Sequence, residues 1–162
     1  MSADTRIVVL AKAPVAGLVK TRLAPRLGAE GAARLHAELV HRTLRTALDA
    51  AVGPVELCAA PSHQHPFFAA CEREHNIALS GQGEGDLGDR MARAIERVTR
   101  SGTRVVLLGA DCPVLDAAYL RGAVQALDRC DVVLGPAEDG GYVLVAARRL
   151  AAAQRDQSGR RH

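Results

Sequence analysis

Three aliphatic runs share a Val-Val-Leu core, at residues 8–10, 105–107 and 132–134. Each runs forward into a loop of small and charged residues: "AKAPVAG", "GADCP" and "GPAEDGG". Short β-branched runs of this kind read as buried strands. Strand-like segments at 6–11, 54–60, 76–80, 104–110, 131–137 and 142–147 alternate with helix-like segments at 29–52, 65–75, 87–101 and 116–129. That alternation predicts an α/β layered domain with a largely parallel sheet. In open α/β sheets, ligands sit outside the carboxyl ends of the strands, near a switch in strand order. The three Val-Val-Leu strands are therefore expected to end side by side, with their loops converging on one edge.

Composition supports this architecture. Aromatic residues make up only 2% of the 162 residues, so the core must be built from Ala, Val and Leu. Such a core suits helices laid on a sheet better than an all-β sandwich. The predicted helices carry apolar stripes: Leu35, Leu39, Val40, Leu44, Leu48 and Ala51 in the first, and Leu87, Met91, Ala94, Ile95 and Val98 in the third. The length fits one domain. Apolar patterning stops near Ala153, which sets the domain at 1–153 and reads 154–162 as a disordered polar tail.

The formal net charge of +3 is misleading, because residues 148–162 hold five Arg against one Asp and the remainder of the chain is at −1. A specific nucleic-acid binder needs a basic face on its folded body. This body has none to spare. No apolar run approaches membrane-spanning length, and no charged segment leads into a long apolar one. Cys58, Cys71, Cys112 and Cys130 form no C-x-x-C pair and read as reduced core residues of a cytoplasmic protein. The six histidines are scattered; His36 and His41, five apart on a helix, do not share a face. No G-x-S-x-G or H-E-x-x-H is present, which disfavours nucleophilic hydrolysis and zinc-protease chemistry.

Both lysines of the chain, Lys12 and Lys20, fall in the first loop, "AKAPVAGLVKTRL"; every other basic residue is Arg. This loop is neither a P-loop nor a dinucleotide fingerprint. Ala11, Gly17 and flanking small residues leave backbone N–H groups accessible, with Lys20 and Arg22 beside them. Backbone amides with a nearby cation can cradle phosphate oxygens; a solvated basic loop is the other reading. In "GADCP", Asp111 stands just past a strand whose continuation Pro113 blocks. It is either a hard oxygen donor for Mg²⁺ or Mn²⁺ or a turn cap. "EDGGY" places Glu138 and Asp139, as a second metal ligand or a hold on a substrate hydroxyl, before Gly140, Gly141 and Tyr142, where the glycines make a tight turn or allow a close approach to a ligand. "GQGEGDLGDRM" joins Gln82, Gly83, Asp86, Gly88 and Arg90 in a flexible loop suited to a base or ribose. Asp86 also reads as the N-cap of the next helix, and Asp116 as that of the last one.

Taken in order, A-K-x-P-x-x-G-x-x-K-T-R-L, Q-G-x-G-D-L-G-x-R-M, G-x-D-x-P and E-D-G-G-Y resemble the bacterial family called domain of unknown function 2064. Some of its members are described as arsenosugar-biosynthesis glycosyltransferases. The resemblance covers roughly residues 6–147. It implies a three-layer α-β-α sandwich of the GT-A, nucleotide-diphospho-sugar transferase type, a superfamily that also holds guanylyltransferases. By resemblance, Ala11, Lys12, Gly17, Lys20 and Arg22 face nucleotide phosphates, and Gln82, Gly83, Asp86, Gly88 and Arg90 lie near the base or ribose. Asp111 binds Mg²⁺ or Mn²⁺ and acts with Lys20 in catalysis, while Asp139, Gly140, Gly141 and Tyr142 face the sugar or acceptor. The implied activity is metal-dependent glycosyl transfer from a nucleotide-activated sugar, with nucleotidyl transfer as the alternative. Relatives continue past the glycine turn, so a non-catalytic nucleotide-binding or dimerisation domain is a further expectation. An unfinished sheet edge at the C-terminus would favour a homodimer.

Overall fold

The computed structural model describes residues 4–110, 115–137 and 142–148. Its elements follow as β1 (Thr5–Lys12), α1 (Ala24–Ala50), β2 (Val55–Ala60), α2 (Pro66–His75), β3 (Ala78–Gly81), α3 (Leu87–Thr99), β4 (Arg104–Gly109), α4 (Ala117–Ala126), β5 (Val132–Pro136) and β6 (Tyr142–Ala147). A 3-10 turn at Thr21–Leu23 precedes α1. The predicted tail, 154–162, lies outside the described residues.

The strands form one six-stranded sheet in the order β3-β2-β1-β4-β6-β5. Pairing is parallel from β3 through β4, and β6 runs antiparallel to both β4 and β5. The first two Val-Val-Leu strands end side by side as expected, with Leu10 opposite Gly109. The third does not. β5 points the same way but lies beyond β6, because β5 and β6 form a hairpin whose second strand takes the place beside β4. Burial explains the choice: Leu144, Ala146 and Ala147 of β6 are buried, whereas β5 leaves Leu134 exposed. The more apolar strand goes inside. Among the described residues the sheet edges are thus β3 and β5, and β6, the last described strand, lies inside the sheet.

Side-chain alternation divides the core into two faces. Ile7, Val9, Leu57, Val106, Leu108 and Leu144 meet Val40 and Leu44 of α1, Phe68 and Cys71 of α2, and Leu120 of α4. Val8, Cys58, Val105, Leu107 and Ala147 meet Ala94, Ile95 and Val98 of α3. Helices therefore cover both faces, giving three layers, and each fully buried Val or Leu contributes about 1.5–3 kcal/mol.

The helical stripes are narrower than their sequence spacing suggests. In α1 the buried line runs through Ala33, Val40, Leu44, Ala47 and Ala50, which lets the helix lie close to the sheet, while Leu48 is exposed and Ala51 is the left-handed closing residue. Gly28, at φ 73° and ψ 161°, offsets the first turn of α1 from the rest. In α3, Leu87 sits in the first turn and is 60% exposed. Cys58 and Cys71 are buried free thiols, and burial, with Glu74 adding to it, pushes Cys71 up to about 11. Cys130, expected in the core, is exposed in the turn after α4. No helix among the described residues is long and apolar enough to cross a membrane.

Candidate functional site

The strand order turns at β1 and β4: β2 and β3 lie to one side, and β6 and β5 to the other. α1 leaves over one face and α3 approaches over the opposite face, so the carboxyl ends of β1 and β4 form a topological switch point. Such crevices are where open α/β sheets bind ligands.

The loop after β1 is held by its neighbours. The Ala13 N–H donates to the Ala60 carbonyl at 2.8 Å, and Nε2 of buried His36 lies 2.8 Å from the Lys12 carbonyl oxygen. Two tight turns follow, with Val15 N–H donating to Ala13 and Leu18 N–H to Val15. Gly17 takes φ 85°, where glycine carries no Cβ penalty. Lys20 takes φ 52° and ψ 39°, in the left-handed region, and its carbonyl accepts from Leu23 N–H at 2.9 Å. An L-residue costs roughly 1–2 kcal/mol there. Glycine would be the cheaper choice, so the lysine side chain is retained against a backbone cost. Lys12 and Arg22 are exposed, and Ala11 is buried.

The glycine-rich loop 81–86 lies against the same edge. Gln82 is 5% exposed, and its amide nitrogen donates to the carbonyls of Cys58 at 3.0 Å and Ala11 at 3.4 Å. It ties the loop to the ends of β1 and β2. Arg93 donates to the Gln82 and Glu84 carbonyls at 2.6 and 2.9 Å, and Arg90 Nε to the Gly85 carbonyl at 2.9 Å. Two arginines, one turn apart on α3, thus fasten the loop backbone. Asp86 and Asp89 form a capping box at the start of α3, with Asp86 Oδ1 accepting from Asp89 N–H at 2.8 Å and Asp89 Oδ2 from Asp86 N–H at 3.1 Å. Gly88 lies in the first turn of that helix, whose N-terminus favours anions.

Gly83, at φ 78°, has Arg93 where a Cβ would stand, 2.5 Å from Nη1. Gly83→Ala is expected to cost about 1–2 kcal/mol, read as a lowered denaturation midpoint, because both the backbone and Arg93 must shift. An unchanged midpoint would show that the loop tolerates rearrangement.

Tyr142 begins β6 at this same edge, opposite Pro136, and is exposed. Asp111, Glu138, Asp139, Gly140 and Gly141 lie outside the described residues. Among described carboxylates of the edge, Asp86 and Asp116 serve as helix caps.

Sequence reasoning missed His36 and Arg93, the groups that hold the two loops. It also missed Glu56, which is buried under α3. Glu56 accepts from Ser80 at 2.6 Å, from Arg6 at 3.2 Å and from both terminal nitrogens of Arg97. Burial pulls its carboxyl upward, but Arg97, Ser80 and Arg6 together hold it below its ordinary value. The available signal was a lone acidic residue in an otherwise apolar strand, "VELCAA".

The profile of a family described as "Uncharacterized protein conserved in bacteria (DUF2064)" matches residues 43–157. The chain belongs to that family. A solved structure assigned as a nucleotide-diphospho-sugar transferase, from Desulfovibrio desulfuricans G20, is 30% identical to the DUF2064 chain with a TM-score of 0.80. The match covers 90% of this chain and 64% of that one, so the chain spans less than two thirds of its relative's length. A nucleotidyl transferase from Methanothermobacter thermautotrophicus (18% identity, TM-score 0.61, 94% of this chain and 74% of that) shares the fold. So does a cytidylyltransferase from Leptospira borgpetersenii (15%, TM-score 0.60, 90% and 61%). No protein of curated function matches. The DUF2064 chain therefore has the nucleotide-diphospho-sugar transferase fold.

Proposed function

We propose that this domain, residues 1–153, is the nucleotide-binding part of a cytoplasmic transferase acting on a nucleotide-activated sugar. The observation that carries this reading is the 30% identity over 90% of the chain to a protein assigned as a nucleotide-diphospho-sugar transferase. The loop that bears Lys20 and Gly17 supports it, standing as it does at the switch point of the sheet.

Lys20, Arg22 and the N–H groups around Gly17 receive the phosphates. Lys20 offers a compact cation to developing negative charge as the bond to phosphate breaks. The loop 81–86 carries the base or ribose, with Gln82 positioning it against the ends of β1 and β2 rather than meeting the ligand. Asp111 and Asp139 would hold a divalent cation, Mg²⁺ or Mn²⁺, that neutralises charge on a departing diphosphate. Gly140, Gly141 and Tyr142 border the acceptor.

A thermal-shift panel of nucleotides and nucleotide sugars, with and without Mg²⁺ or Mn²⁺, tests the reading. One nucleotide sugar is expected to raise the melting temperature in a metal-dependent way, because a ligand bound only to the folded state stabilises it. Indifference to every nucleotide would refute it. Nucleotidyl transfer remains the second reading on the strength of the lysine-bearing loop, and its signature is released pyrophosphate rather than a nucleoside diphosphate.

A further inference from the structure

α1 and α2 pack on the face of the sheet opposite α3, and their far halves bring together three metal-ligating side chains. Nδ1 of His41 lies 2.9 Å from Nε2 of His75 and 3.7 Å from Oε2 of Glu74. One ligand atom from each of the three falls within 4.8 Å of the others, and His41 and His75 are half-buried. The residues come from two helices, 34 positions apart in sequence for the histidine pair.

We propose that His41, Glu74 and His75 form a binding site for a borderline divalent cation of the Zn²⁺ type, clamping α2 to α1. Two ligands on a tetrahedral zinc, each about 2.0–2.1 Å from it, stand roughly 3.3 Å apart. The separations here bracket that value, so small side-chain adjustments convert the His–His contact into coordination. Two imidazoles and a carboxylate are a zinc donor set, whereas Mg²⁺ prefers oxygen alone. Phe67 packs edge-on against the His41 ring at 5.4 Å between centroids, which fixes its orientation. His75 is the last residue of α2, where the helix dipole favours a cation.

Glu74 is 60% exposed on its side chain, so a cation held by the three would remain open to solvent. The site is separate from the sheet edge: His41 lies five residues beyond His36, about 7.5 Å further along α1 from the Lys12 carbonyl that His36 meets.

The test is calorimetric titration with Zn²⁺ in a Cys112→Ser, Cys130→Ser background, which removes the one thiol exposed among the described residues and the one that lies outside them. One Zn²⁺ per chain is expected, with a rise in melting temperature and an affinity at least tenfold weaker in His41→Gln and in Glu74→Gln. Glu74 is exposed enough that its variant folds even if the His41 variant does not. In that background protein itself, Zn²⁺ is expected to shift the NMR ring signals of two of the six histidines, His41 and His75. Absent binding, undiminished binding in Glu74→Gln, or shifts confined to other histidines would overturn the site.

Discussion

Lys20→Arg is expected to weaken nucleotide binding nearly as much as Lys20→Ala, by about tenfold to a hundredfold. The loss of one desolvated, charge-assisted contact costs on the order of 1.5–3 kcal/mol. Arg would retain the charge, but its planar fork does not fit where an ammonium is held close to a turn and phosphate oxygens. The backbone adds a second, independent arm. Because Lys20 occupies the left-handed region at φ 52°, Lys20→Gly is expected to keep or raise stability, by up to about 1 kcal/mol, while losing affinity. Lys12 is the control, being exposed with its carbonyl oxygen 2.8 Å from His36 Nε2. Titration of each variant with the nucleotide found by thermal shift decides the matter. If Lys20→Arg binds as well as the parent protein, Lys20 is only a solvated positive charge.

The strands were legible because β-branched runs such as Arg6–Ala11 and Arg104–Ala110 satisfy a local rule, and the structure places β1 and β4 over nearly those residues. Partner choice follows no local rule. Nothing in "DVVLGPA" says that "YVLVAA" will take the slot beside β4; that follows from which strand buries more apolar surface once the sheet exists. The same limit applies to side chains. Asp86 and Asp116 were legible as helix caps, since capping is decided within three residues. Gln82 was legible only as a polar residue in a glycine-rich loop. Its bonds to Cys58 and Ala11 depend on the parallel pairing of β1 and β2, settled far away in sequence. His41 and His75 were read as scattered for that reason too: their meeting requires α1 and α2 to lie side by side.

Glu56→Gln is expected to lower stability by roughly 2 kcal/mol at neutral pH, or about 4–8 °C in melting temperature for a domain of this size. Breaking a buried ion pair costs more than this when the orphaned charge stays buried. Here the partners Arg97 and Arg6 are 44% and 34% exposed and can rehydrate, while Glu56 itself is at 3%. The consequence reaches the candidate site, because Arg97 lies on α3, whose other end caps and fastens the glycine-rich loop. The pH dependence has a definite sign. The folded carboxyl is held below its ordinary value of 4.5, so its stabilisation is complete above the pKa of the unfolded chain and is lost as pH falls through the lower, folded value. The difference in melting temperature between the parent and Glu56→Gln should therefore be full at pH 7, begin to shrink near pH 4.5 and continue to close in more acid solution. Ser80→Ala, which removes one hydrogen bond and no charge, should show a smaller loss at neutral pH. Melts across that range check the assignment. A gap that stays constant down to pH 3 would mean that the charge on Glu56 contributes nothing and that the side chain only fills space beneath α3.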